Sequence, residues 1–377
     1  MSTTVEEVSP RLEETLGGDA RAPKSDPRQC SSAPDALHGD TDTPVGLSVS
    51  DPTRPRTPQE APRPGKPFKK VPRPGDAAFF SLAIGAGALI LVVLFAVAVF
   101  LMAQAWPAFL VTSDEIGSAS GSEPMSIWSY VAPFAFGTIW IAFLALLIST
   151  PIAIAVALFI SHYAPRKIAN GLGYIIDLLA AVPSVVFGLW GIRVLAPMLQ
   201  PAYVWLTEHF GWIPLFSGPA SGTGRTVLTV ALVLAVMILP IMTAVCREVF
   251  LQTSKLQEEA ALALGATRWE MIKMAVLPAG RAGIISAMML GLGRALGETM
   301  AVAMVLSPAA VISFALVTSQ NPNSIAANIA LNFPEAFGLR VNVLIATGLF
   351  LFAITLAVNM LARWVISRRA QFQGANA

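Results

Sequence analysis

The chain has 377 residues, 55% of them hydrophobic and 13% charged, with a formal net charge of +2. That apolar excess excludes a soluble enzyme, and the absence of a basic patch interleaved with aromatics excludes a nucleic-acid partner. The two cysteines (Cys30, Cys246) and three histidines (His38, His162, His209) stand far apart, so they supply neither a disulfide framework nor the convergent ligands of a metal centre.

Residues 1–75 hold 22 of the 48 charged residues and 13 of the 28 prolines. Such a segment cannot bury enough apolar surface to offset the entropy of ordering, so a disordered cytoplasmic tail is expected. Its last stretch, Arg54 to Arg73, carries seven basic residues and one acidic residue. It reads as a positive-inside anchor, or alternatively as a binder of anionic lipid or a regulator. No apolar stretch precedes Phe79, so the first span is expected to stay attached as a signal anchor.

From there the chain is expected to form a six-helix membrane domain over residues 76–370. Apolar runs long enough to cross the hydrocarbon core, about 20 helical residues, fall near 79–103, 137–160, 175–199, 227–246, 284–306 and 343–362. Counted from Arg54, alternate gaps hold 17 Lys and Arg against two, Arg225 and Arg340, in the others. This bias predicts that both termini are cytoplasmic. Pro151, Pro183, Pro197 and Pro240 fall within spans, where prolines are tolerated if neighbouring helices or a water-lined cavity satisfy the freed carbonyls.

The segment 251–283 between spans four and five reads as two short helices. Ser254 with Gln257 and Thr267 with Glu270 have capping-box spacing, and Gly265 is placed to end the first helix. Leu256, Ala260 and Leu264 recur every four residues, giving an apolar stripe that packs either on the protein's own helices or in another subunit's groove.

Span five contains Arg294 and Glu298. Each costs about 2.5–3.5 kcal/mol at the bilayer centre if it faces lipid, so both must face protein or water. Spaced four apart, they are expected to lie on one helix face and can pair, which offsets part of that cost. The residues alone leave two readings open, a buried ion pair that holds the bundle together and an anion-handling site in which Arg294 meets oxyanion oxygens and Glu298 reads a substrate proton. Gly283, Ala287, Gly291 and Ala295, with Gly293 and Gly297 overlapping, predict close helix approach. Arg193 in span three is either a second anion contact or a snorkelling side chain, and Asp177 reads as an interfacial charge.

Glu259, Ala260, Ala261, then Gly265, then Leu277 and Pro278 resemble the EAA loop of ATP-binding-cassette (ABC) importer permeases, with Ala275 where that family usually has isoleucine. The resemblance implies that 251–278 is a coupling loop inserted into an ATPase subunit, with Glu259 and Gly265 central. Gly291–Val302, Ala181–Gly191 and Pro322–Ala326 resemble phosphate importer permeases of the PstC type, a similarity covering about residues 76–370. It implies an all-α integral membrane protein with six transmembrane helices of the ABC importer permease type, its core permease at about 133–367. It also implies a bacterial inner-membrane location and a substrate path at Arg294 and Glu298. The implied partners are a second, PstA-like permease, a PstB-like ATPase dimer and a PstS-like external phosphate-binding protein, besides inorganic phosphate and membrane lipid.

The sole Gly-Lys, Gly65-Lys66, is followed by Pro67, so no Walker A loop is present and ATP with its magnesium is expected on the partner ATPase, no cofactor being expected on this chain. Sulfate or molybdate import remains an alternative, since both are tetrahedral oxyanions. An ion-gradient-driven anion transporter is another, and predicts an inverted repeat that the six spans do not display. A membrane-embedded enzyme needs more catalytic groups than one Arg-Glu pair.

Overall fold

A computed structural model describes residues 74–120 and 123–374. The tail up to Arg73, with its basic stretch, lies outside the described residues. The helices are α1 (Pro74–Leu110), α2 (Ser113–Ser120), α3 (Ile127–Leu158), α4 (Arg166–Ala180), α5 (Ser184–Trp190), α6 (Ala196–Phe210), α7 (Val227–Leu251), α8 (Lys255–Ala263), α9 (Arg268–Met271), α10 (Leu277–Leu296), α11 (Met300–Val305), α12 (Ile325–Asn332) and α13 (Leu339–Gly374). π-Helical turns extend α3 (Phe159–Tyr163), join α5 to α6 (Gly191–Leu195) and join α9 to α10 (Ile272–Val276). β1 (Pro308–Ala309) and β2 (Asn321–Pro322) form one short parallel pair.

Six helical runs among the described residues are long and apolar enough to cross a bilayer: Ala78–Leu110, Ile127–Tyr163, Ser184–Phe210, Val227–Leu251, Arg268–Leu296 and Leu339–Trp364. The all-helical six-span expectation therefore holds, with two spans shifted. The third was expected at 175–199, but the chain breaks at Ala181–Pro183 and the span runs onward from Ser184. Pro183 has no N–H to continue α4 and disfavours helical geometry at Val182. The fifth was expected at 284–306; it begins at Arg268 and stops at Leu296. Pro151 and Pro240, by contrast, lie inside unbroken helices, and Pro197 lies inside the continuous helical run of the third span, just after its π-helical turn.

The core lies between α3 and α7, where Ile141, Leu234, Met237, Ile238 and Met242 are fully or almost fully buried, with Ala295, Val302 and Val305 of α10 and α11 against them. The small residues of α10 face α7: a Cβ on Gly283 would collide with Val249, and one on Gly291 would press on Met242. This is the close approach the four-residue spacing predicts. A second cluster joins Ala105 and Ala108 of α1 to Val343 and Ala346 of α13. Much of the remaining surface of α1 is exposed leucine, valine and phenylalanine, which hydrocarbon solvates without penalty.

Between α11 and α12 the chain is irregular, yet its backbone finds partners. Leu316 N–H donates to Leu215 O (2.8 Å), Ser221 N–H to Val317 O (2.9 Å) and Leu228 N–H to Leu316 O (3.1 Å). Gly137 on α3 has no side chain because the Asn323 carbonyl occupies the place of its Cβ, and the neighbouring Thr138 hydroxyl accepts from Ile325 N–H at 3.0 Å. Buried irregular backbone at this depth is viable only with such internal partners.

Candidate substrate path and coupling surface

The interruption of span five organises the site. α10 ends at Leu296, Gly297 N–H closes it on Gly293 O (3.3 Å), Glu298 and Thr299 are non-helical, and α11 starts at Met300. The single-face argument for pairing Arg294 with Glu298 requires a continuous helix, and the structure removes it: no ion pair joins the two residues among those described. Glu298 is buried and turns to α11, its Oε1 accepting from Ala301 N–H at 3.0 Å. One of the N–H groups left without an intrahelical acceptor at that helix start is thus satisfied by a carboxylate. A carboxylate has about four acceptor positions, so this bond leaves it capacity for more.

Arg294 is in the last turn of α10, where a cation is favoured beside the terminal carbonyls. It is half-buried, and its Nε is fully buried without a hydrogen-bond partner. An unsatisfied donor of a permanently charged group is costly inside protein. Next to it the surface is open: Gly293 and Gly297 are exposed, and a Cβ on Gly293 would meet nothing within 4 Å. These two glycines therefore do not contribute to helix packing within this chain. They leave room beside the arginine.

Arg193 lies elsewhere. It is exposed, in the π-helical turn of the third span, and no hydrogen bond or ion pair joins it to Arg294 or Glu298 among the described residues. The glycine two residues before it, Gly191, packs on Val233 and Val305, so Arg193 points away from that contact. A guanidinium on the outer face of a span must meet a second protein surface or water. Asp177 is exposed on α4, outside the span as the structure defines it.

In the loop between spans four and five, α8 ends at Gly265, which adopts φ +86°, a left-handed value that suits glycine at a helix end. Thr267 and Glu270 form the predicted capping box: Thr267 N–H donates to Glu270 Oε2 at 2.8 Å and Glu270 N–H to Thr267 Oγ1 at 3.4 Å. The predicted box at Ser254 is not made; Ser254 occupies the cap position with no side-chain bond. Leu256 and Leu264 are 77% and 90% exposed, so the apolar stripe does not pack on the protein's own helices. Glu259 and Ala260 are exposed and Ala261 is half-buried. Beside them opens a groove of about 830 Å³ lined by Ala260, Ala261, Gly265, Met274, Ala275 and Pro278, among others. Leu277 packs inward against the cluster of Met271, Ile272 and Phe250, anchoring α10 to the loop.

A family model described as "Binding-protein-dependent transport system inner membrane component" matches residues 149–371. The chain belongs to this family. The phosphate transport system permease protein PstC 2 of Mycobacterium tuberculosis is 41% identical over 298 residues, covering 77% of this chain and 91% of that one. PstC of Mesorhizobium japonicum is 38% identical over 300 residues (78% and 90%), and PstC of Mycobacterium leprae 47% over 228 residues (60% and 71%). In fold alone, a chain of a bacterial ABC transporter that imports the acidic polysaccharide alginate superposes with a TM-score of 0.55 at 18% identity, covering 78% of this chain and 96% of that chain. As a binding-protein-dependent transport system component, with six helices long and apolar enough to cross a bilayer, the chain is a multi-pass inner-membrane protein.

Two contacts made by this transport component escaped sequence reasoning. His162 Nε2 stands 3.5 Å from Glu258 Oε1, tying the end of the second span to α8. Arg225, which in the sequence is only a charge that bears on orientation, reaches the end of α11. Neither contact has a local signal, because the partners are far apart in the chain.

Proposed function

We propose that this chain is one membrane permease subunit of an ATP-driven phosphate importer, and that Arg294 and Glu298 belong to the path phosphate takes. The observation that carries the reading is the Arg294 guanidinium, whose buried Nε has no partner and which stands beside an open glycine-lined face. An oxyanion entering there supplies the missing acceptors. Glu298 is one helix break away and accepts from a protonated phosphate oxygen, which sulfate and molybdate do not offer at neutral pH. The names of the PstC relatives support the same substrate.

In this reading both termini and the 251–278 loop are cytoplasmic. Glu259, Ala260, Ala261, Gly265, Leu277 and Pro278 form or anchor the surface that a PstB-like ATPase dimer grips. A PstA-like permease completes the path, with Arg193 facing that second subunit or the aqueous passage, and a PstS-like protein delivers phosphate from outside. ATP and magnesium stay on the ATPase, and this chain carries no cofactor. ATP-driven closure moves the coupling loop and turns the site inward, the free energy coming from different nucleotide affinities of the two states.

The test is uptake of radiolabelled phosphate at low external concentration in cells with and without this chain, a second phosphate system being deleted, with sulfate and molybdate in excess. Loss of uptake on deletion, with no competition by either anion, is the expected result. Unchanged uptake, or competition by sulfate or molybdate, overturns the phosphate assignment.

A further inference from the structure

The short helix α11 is held at both ends by charged side chains. At its start Glu298 accepts from Ala301 N–H. At its end the Arg225 guanidinium donates to three successive carbonyls: Nε to Val305 O (3.3 Å), and Nη2 to Met304 O (3.3 Å) and Leu306 O (2.9 Å). The last carbonyls of a helix have no intrahelical donor, and a fork of fixed N–H groups matches them. Arg225 is itself fixed. Asn321, fully buried, donates from Nδ2 to Arg225 O (3.1 Å) and accepts Val227 N–H on Oδ1 (3.3 Å), and Thr226 caps the start of α7. No carboxylate pairs with Arg225 among the described residues, so its charge is committed to carbonyls.

The two charges of the proposed path sit on either side of a helix break, and both flanking helices pack on α7. Arg294 rides on α10, which continues through the π-helical turn and α9 into the coupling loop. Glu298 rides at the head of α11, which Arg225 ties to the start of α7. The joint between them is Gly297–Thr299, and Gly297 carries no side chain to resist bending.

We propose that Arg225 is a positioning residue for the substrate path: it clasps α11 to the start of span four and so holds Glu298, at the head of α11, in place. The proposal rests on the reading of Arg294 and Glu298 as the phosphate path, and its test separates the two. Arg225→Gln and Arg225→Lys are made in the assembled transporter, with subunit levels checked in the membrane. The position of α11 is read by the reaction of a Met300→Cys reporter, in a chain lacking Cys30 and Cys246, with a membrane-impermeant maleimide. Met300 is exposed at the start of α11. Uptake is measured separately with Met300 intact.

In Arg225→Gln the labelling rate changes and phosphate uptake at subsaturating concentration falls at least roughly tenfold, the effect of losing even one of the three hydrogen bonds that the charged group donates. Arg225→Lys, which keeps the charge without the fork, falls between. Unchanged labelling overturns the clasp, whatever happens to uptake. Changed labelling with normal uptake overturns the positioning role. If Arg294→Gln and Glu298→Gln both transport phosphate normally, the path assignment fails, and a labelling change in Arg225→Gln still upholds the clasp.

Discussion

Replacing Glu298 with glutamine separates the chemistry of the proposed path from its architecture. Glutamine keeps a carbonyl oxygen able to accept from Ala301 N–H, now at 3.0 Å from the carboxylate, so α11 remains capped. What the fold loses is the difference between a charged and a neutral cap, about 0.3–1 kcal/mol and at most a fivefold effect. What a protonated phosphate loses is larger. Glutamine presents its amide N–H where one carboxylate oxygen accepted, and a hydrogen bond to a charged group contributes about 1.5–3 kcal/mol, roughly 10-fold to 150-fold. The assay is the initial rate of phosphate uptake over a range of concentrations, normalised to the subunit's level in the membrane. The expected result is a loss of at least about 10-fold at subsaturating phosphate with the protein level unchanged. Uptake within about fivefold of the parent would refute a direct role and leave Glu298 as a helix cap.

Other substitutions probe the coupling side and the packing. Glu259→Lys reverses an exposed charge on α8, and the ATPase should no longer co-purify while membrane insertion is unaffected; co-purification at the normal level sinks the docking surface. His162→Ala removes the 3.5 Å contact with Glu258, and because that contact is only partly buried the expected loss of uptake is modest, within about fivefold, with the ATPase still bound. Gly291→Leu drives a branched side chain into Met242, and overpacking of about 1–3 kcal/mol should appear as a lower thermal stability of the detergent-solubilised subunit; an unchanged melting profile would mean that α10 and α7 are not so closely packed.

The six spans were legible because each is an apolar run longer than any soluble domain tolerates. The loop helices were legible because Gly265 and the Thr267–Glu270 box are local signals. The two breaks were not. Pro183 was visible, but so were Pro151 and Pro240, and only the surroundings decide which proline ends a helix. Arg294 and Glu298 stood out as charges in an apolar segment, and of the two readings left open the paired one fails, since the four-residue spacing places both on one face only without the break that Gly297–Thr299 makes. Arg225 gave no sign of its role, because the carbonyls it holds lie 79 to 81 residues further along the chain. Side chains that cap distant helices are fixed by the tertiary fold and leave no periodicity behind.

The bare stripe on α8 differs in kind from the apolar surface of α1. Leucines on a spanning helix rest in hydrocarbon and cost nothing there, whereas Leu256 and Leu264 belong to a loop that projects into water, almost fully uncovered. A subunit made in excess of its partners shows those two leucines to every chaperone and protease in the compartment. With the ATPase covering the stripe, as proposed above, the lifetime of this subunit is set by how soon that happens, and its abundance should follow that of the ATPase, a form of stoichiometry control that needs no dedicated regulator.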